Sequence, residues 1–245
     1  MTELEIKYKK LLATMDDLTE QIPYVIFEKY FKNNCYLYSV YYEAFSSIRA
    51  FCILLGNNAL IAQSCMSLRM AIENTAIIKV LEMYPLLMDE FIEHCEFRFE
   101  LKTERKFKEK IIEHYKEKIK LKNNNALNFL EYGWLRSIRK DYGYRALLQT
   151  AGFDKQPSKF LPWIDWLNLW VHGAIKGPNI ILNVEDGIRY VQVLIDIAAQ
   201  LLEILCCNFH NTTKSTFIVN NINYYEKFYN VYKSIIKANE IESNC

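Results

Sequence analysis

Residues 50–84 read AFCILLGNNALIAQSCMSLRMAIENTAIIKVLEMY. Apolar residues recur there at three- and four-residue spacing on both sides of Gly56-Asn57-Asn58, and no proline interrupts them. The pattern predicts two long apolar helices, over 36–55 and 58–84, with Asn58 as N-cap of the second. A connection this short implies an antiparallel hairpin, and the pair is expected at the core. Only 7 Gly and 5 Pro occur in 245 residues, too few for the turns of an all-β chain, so the fold class is all-α. A hydrophobic content of 51% is enough to build a substantial core.

Outward from that pair, residues 2–20 place Leu4, Tyr8, Leu11, Met15 and Leu18 on one face of a helix ended by Pro23. This helix is expected to pack on the outside of the bundle. A helix of about 86–121 follows Pro85, and its stretch from Lys102 to Lys122 carries nine Lys/Arg against four Glu. Residues 126–160 read as short helices broken at Gly133, Gly143 and Gly152, and Gly177-Pro178 forces a turn. A last apolar helix spans about 187–209, and a Tyr-rich amphipathic helix about 221–238. The whole of 1–245 is thus one helical domain: an N-terminal helical extension over 1–34, a bundle core over 36–210, and a C-terminal loop with the Tyr-rich helix over 211–245.

A formal charge of +1 gives no global pull toward nucleic acid, so any such binding must rest on local patches. Seven cysteines behind an acidic, polar start, Met1-Thr2-Glu3-Leu4-Glu5, point to free thiols in a reducing, cytoplasmic setting. The most apolar segments, 50–88 and 187–209, are interrupted by Arg69, Glu73, Lys79, Arg189, Asp196 and Glu203, which argues against a membrane-spanning helix.

Two stretches carry groups able to do chemistry. In the helix expected between Pro162 and Gly173, Asp165, Asn168 and His172 stand at i, i+3 and i+7, beside a stripe of Trp163, Trp166 and Trp170 that is expected to be buried. His172 falls in the last turn, where the negative end of the helix dipole favours the imidazolium. In the 58–84 helix, Ser64, Ser67, Thr75, Lys79 and Glu82 share one side, whereas Arg69 and Glu73 fall among Cys65, Met66, Ile72, Ala76 and Val80. Charges on an apolar face must be paired and hydrogen-bonded, and Asp165, Asn168 and His172 are the expected partners. Buried pairs of this kind also serve simply to fix helix register.

The order of an Arg69-x3-Glu73 helix, then Tyr132-Gly133-Trp134-Leu135, then Leu147-x4-Gly152, then an aromatic helix ending His172-Gly173 resembles bacterial helical proteins related to the HEPN superfamily. The resemblance covers roughly 36–210 and implies a HEPN-like helical bundle, here with additional N- and C-terminal helices. It further implies a homodimer, or a complex with a companion defence or antitoxin protein, and a metal-independent endoribonuclease of toxin or antiviral defence, with no cofactor. The family hallmark is Arg-x4-6-His; no arginine stands four to six residues before His172, so the resemblance hands the cation to Arg69. His172 would then move the proton of the 2′-hydroxyl or the leaving oxygen, Arg69 would stabilise the phosphorane, and Glu73 and Asn168 would hold them. Asp165, Tyr132 and Trp166 would support this set. Lys106, Lys110, Arg136, Arg139 and Lys140, with Arg145 nearby, form the basic face expected to take an RNA backbone.

Three other readings compete. A non-catalytic module would use the same polar cluster as a structural network and its 17 tyrosines to bind a partner protein. A nucleotide or small-molecule pocket would be lined by Trp166, Trp170 and Tyr132. A metal site of Cys206, Cys207 and His210, completed by His94 and Cys95, is set aside: there is no Cys-x2-Cys pair, and neighbouring cysteines on a helix point in different directions. Phosphate-loop, Gly-x-Ser-x-Gly and His-Glu-x2-His motifs are absent from the sequence.

Overall fold

The computed structural model describes residues 2–22, 35–56, 60–102, 132–155, 160–171, 184–213 and 222–243. Among these residues there is no strand, and the chain is all-α. Among the described residues eight α-helices follow in order: α1 (Glu3–Glu20), α2 (Cys35–Gly56), α3 (Ile61–Met83), α4 (Met88–Lys102), α5 (Tyr144–Thr150), α6 (Leu161–Val171), α7 (Val184–Thr213) and α8 (Ile222–Ser243). Short 3-10 turns occupy Pro85–Leu87 and Gly133–Ser137. The second half of the helix expected over 86–121, with Lys106 and Lys110, lies outside the described residues, as do His172 and Gly173. The chain divides into two compact units, Met1–Thr75 with Phe160–Cys245, and Ala76–Lys159.

In the first unit, α1 packs against α2, α7 and α8, and α2 also packs against α7. This corrects the expectation that α1 lies on the outside: Leu11, Met15 and Leu18 are fully buried and Tyr8 nearly so. The reason lies in its spacing, since those four positions form one apolar stripe wide enough to meet several helices. A capping box starts α1, with Glu5 N–H donating to Thr2 Oγ1 at 3.2 Å and Thr2 N–H donating to Glu5 Oε2 at 2.6 Å. Its Thr-x-x-Glu signature is legible in the sequence. From α7, Phe209 sets its ring edge-on to Tyr41 and Phe45 of α2, at 5.4 and 6.4 Å between centroids. Phe228, Val231, Tyr232 and Ile235 form the buried stripe of α8. Salt bridges Lys227–Asp17 and Lys233–Glu203 flank this packing at 3.1 and 3.8 Å.

Arg189–His210 of α7 is long and apolar enough to cross a membrane by length and composition. Half of it is nevertheless buried within the protein, and Leu194, Ala198, Leu201, Leu202, Leu205 and Phe209 are part of the core.

The second unit is built on the C-terminal turns of α3, where Ala76, Ile78, Val80 and Leu81 are buried. Here α4 packs against both 3-10 turns, with Phe91 edge-on to Trp134 at 5.2 Å. Gly133 opens a 3-10 turn, and Gly152 ends a helix. Its φ of 76° is the left-handed conformation that only glycine adopts cheaply. Gly152 N–H bonds Gln149 O and Phe153 N–H bonds Leu148 O, which closes α5 with a Schellman motif.

One buried polar contact ties α1 to α7: Tyr8 O–H donates to Asp196 Oδ2 at 2.8 Å. Burial pushes the Asp196 carboxyl up to about 6, against the smaller opposite effect of the Tyr8 bond. A raised carboxyl pKa means that the folded chain binds the proton more tightly than the unfolded one. Stability from this group is therefore present in acid and declines as pH rises toward that value. Asp196→Asn keeps an acceptor for Tyr8 without the charge. It should raise the stability measured by urea unfolding at pH 7.5 by an amount on the order of 2 kcal/mol, with the difference from wild type narrowing as pH falls below 6 and closing only below the ordinary carboxyl range. Equal destabilisation at pH 7.5 and in acid would contradict this account.

Candidate functional site

On α3 the residues that bury are Ser64, Cys65, Leu68, Ala71, Ile72, Thr75, Ala76, Ile78, Val80 and Leu81, while Gln63, Met66, Ser67, Met70 and Asn74 lie on the open or half-open side. Ser64 and Thr75 enter the interior because each hydroxyl is satisfied within its own helix. Ser64 Oγ donates to Ile61 O at 2.7 Å and Thr75 Oγ1 to Ala71 O at 2.6 Å. Met66 and Met70, in contrast, are 45% and 48% exposed. This corrects the face assignment made from the helical wheel: the side holding Ser64 and Thr75 is buried. Arg69 and Glu73 flank the open methionines, with side chains 24% and 25% exposed.

The structure brings Arg69, Glu73 and Asn168 together. Arg69 Nη1 stands 3.6 Å from Glu73 Oε2 one turn along α3. Arg69 Nε–H donates to Asn168 Oδ1 of α6 at 2.8 Å, across 99 residues of sequence. A guanidinium cannot shed its charge, so a half-buried one needs such acceptors. The neutral amide has the shorter contact, and the carboxylate lies beyond ordinary hydrogen-bond distance.

Helix α6 turns differently from the expectation. Phe160, Ile164 and Leu167 are buried, while Trp163 and Trp166 of the tryptophan stripe are only half-buried. Phe160 O accepts from the backbone N–H of Trp163 and Ile164, at 2.9 and 3.2 Å, which starts the helix. Trp166 lies flat on Tyr190 of α7, with centroids 5.3 Å apart and planes within 6°. Asp165 is exposed, and Asn168 is half-buried at the edge facing Arg69. Tyr190 is absent from the residues singled out by sequence, since pairing between helices leaves no mark on periodicity.

Tyr132 belongs to the second unit, where it is buried and tilted against Tyr144 at 6.4 Å. Among the residues expected to hold RNA, Lys140 is exposed and Arg136 half-buried. Arg139 is engaged by the protein itself. Its guanidinium makes two bonds to Asp141, at 2.9 and 2.8 Å, and reaches Ala146 O, Thr150 Oγ1 and Gln149 Oε1 at 3.3–3.4 Å. Fork geometry directed at these acceptors makes it a brace of α5. The Asp141 carboxyl is held below its usual range by that guanidinium.

The cysteine and histidine positions scatter. Cys206 is buried and its thiol pushed far up by burial, whereas Cys207 and His210 are exposed on the same helix. His94 and Cys95 belong to α4 of the other unit, with Cys95 raised to about 11 by burial. Protonated thiols are poor ligands and poor nucleophiles. Among the described residues no group of three or more His, Cys, Asp or Glu could hold a metal ion.

A double-mutant cycle of Arg69→Met and Asn168→Ala should give a coupling free energy of about 1 kcal/mol in urea unfolding, because each single change leaves one partner half-buried without its bond. Additive losses would mean that the Nε–Oδ1 contact does not hold α3 to α6. Arg139→Met should cost about 1–2 kcal/mol by loosening α5, measured in the same way. No family model, curated protein or solved structure matches this chain.

Proposed function

We propose that this protein is a HEPN-like helical-bundle protein of bacterial defence that binds RNA and cleaves it at a site built from Arg69, Glu73, Asn168 and His172. The observation that carries the reading is the Arg69–Asn168 hydrogen bond. A partly open guanidinium on α3 thereby meets α6, and His172 follows Asn168 by four residues in the sequence. A cation and an imidazole are the two groups that metal-independent RNA transesterification requires.

In this mechanism the 2′-hydroxyl attacks the adjacent phosphorus and the 5′-oxygen leaves. His172 takes the proton of the attacking hydroxyl or supplies one to the leaving oxygen. Arg69 offsets the charge that gathers on the non-bridging oxygens of the phosphorane. Asn168 fixes the guanidinium through Nε, and Glu73 limits its swing. Lys140 and Arg145, both exposed, remain as backbone contacts from the basic set.

End-labelled single-stranded RNA incubated with the purified protein in EDTA should yield fragments ending in 2′,3′-cyclic phosphate. His172→Ala should slow cleavage about 10²–10⁴-fold. Arg69→Ala should slow it about 10²–10³-fold, and Arg69→Lys should not restore it, since a compact ammonium lacks the fork. RNA retained on the wild type without cleavage would reduce the reading to binding. Neither cleavage nor retention would instead assign the protein to partner binding, with Met66 and Met70 as its exposed apolar contacts.

A further inference from the structure

Helix α6 is short, 11 residues, and its rotation decides where Asn168 points. At about 100° per residue, Leu167, Phe160 and Ile164 fill one sector of the helix wheel, roughly 100–160° from Trp166. Trp163 and, beyond it, Trp166 lie on one side of that sector, and Asn168, roughly 200° from Trp166, lies on the other. Phe160, Ile164 and Leu167 are buried. Trp166 and Asn168 each make a directed contact with a neighbouring helix: Trp166 lies flat on Tyr190 of α7, and Asn168 receives the Arg69 Nε–H of α3. Both contacts depend on the roll of α6, since they leave the same short helix on different faces.

The geometry points to Tyr190 as a positioning residue for the Arg69–Asn168 pair. Its ring, parallel to Trp166 within 6°, fixes the roll of α6 and so holds Asn168 Oδ1 at 2.8 Å from Arg69 Nε. Flat ring stacking suits this role because aromatic pairs prefer particular relative orientations, beyond the area they bury. Tyr190 touches no reacting group in this scheme. Its relevance to RNA cleavage rests on the proposed function above, but its hold on α6 does not.

The test is made on the full chain labelled with ¹⁵N-arginine. The Arg69 Nε–H signal is identified by its loss in Arg69→Lys, and its hydrogen exchange is compared across variants. Tyr190→Leu, which keeps apolar bulk without a ring, should speed that exchange on the order of tenfold, while Tyr190→Phe should restore the wild-type rate. Helical circular dichroism should be unchanged in both. Where Tyr190→Leu loses helicity, Trp166→Leu removes the same stack from the α6 side and should give the same acceleration. Exchange in Tyr190→Leu within about twofold of wild type, with the fold intact, would overturn the proposal. Cleavage of RNA by the same samples separates the two readings. Accelerated exchange in a protein whose wild type neither binds nor cleaves RNA supports the positioning role and removes the RNA function. Unchanged exchange and unchanged cleavage remove the positioning role and keep the RNA function.

Discussion

A permanent cation at the border between the buried and open sides of a helix is the constraint from which the arrangement near the site follows. On α3 Arg69 is half-buried beside exposed Met66 and Met70, and its guanidinium cannot deprotonate. Acceptors must therefore come to it. Glu73 does so from the same helix, but at 3.6 Å the carboxylate is not a strong hydrogen-bond partner. The short bond comes from Asn168 on a helix remote in sequence, so satisfying one side chain of α3 also specifies which edge of α6 turns toward it. Once that edge is set, Ile164 and Leu167 face inward and Trp166 is left for Tyr190.

Much of the helical framework was legible in the sequence. Long runs at three- and four-residue spacing mark α1, α2, α3, α7 and α8 to within a few residues, because helices of four or more turns average out local exceptions. The orientation of faces was less legible, for reasons visible at particular residues. A helical wheel counts Ser64 and Thr75 as polar, yet each returns its hydroxyl proton to a carbonyl of its own helix and then packs as a small apolar side chain. The tryptophans of α6 misled in the opposite way. They are the most apolar residues of the segment but also the largest, and three smaller side chains, Phe160, Ile164 and Leu167, fill the interior while Trp163 and Trp166 cover the edge. The convergence of Arg69 with Asn168 could be anticipated because a charge on a crowded helix demands an acceptor and few polar residues were on offer. The Tyr8–Asp196 and Trp166–Tyr190 contacts could not, since neither residue type requires the particular partner it has.

The basic residues show how little a count of charges says about their use. Arg139 and Lys140 are neighbours that read alike in sequence. The following Asp141, two residues from Arg139, and the exposed polar side of α5 capture the guanidinium, while Lys140 stays in solvent. Arg49 meets a similar fate in the first unit, where it bridges Asp16 and Glu20 at 3.5 and 2.7 Å. A planar fork finds several acceptors at once and is drawn into structure wherever loops or helix ends supply them. A lysine beside it keeps its hydration. The electrostatic footprint available to a polyanion is accordingly smaller than the sequence tally.

The same reasoning bears on what Arg69 is for. A pair retained only to fix register gains from being sealed and from having its charge matched at close range. Arg69 is not sealed: about a quarter of its side chain is open, and its Nε–H bond goes to a neutral amide. Exposed or half-exposed ion pairs contribute little to stability, on the order of 0–1 kcal/mol, so the fold has little to gain from the charge itself. An amide at Nε nevertheless fixes the plane of the guanidinium, and the carboxylate at 3.6 Å offsets its charge only in part. Orientation by a neutral acceptor is what an oxyanion ligand needs from an arginine, and it is the physical ground for the proposed phosphate-binding role of Arg69.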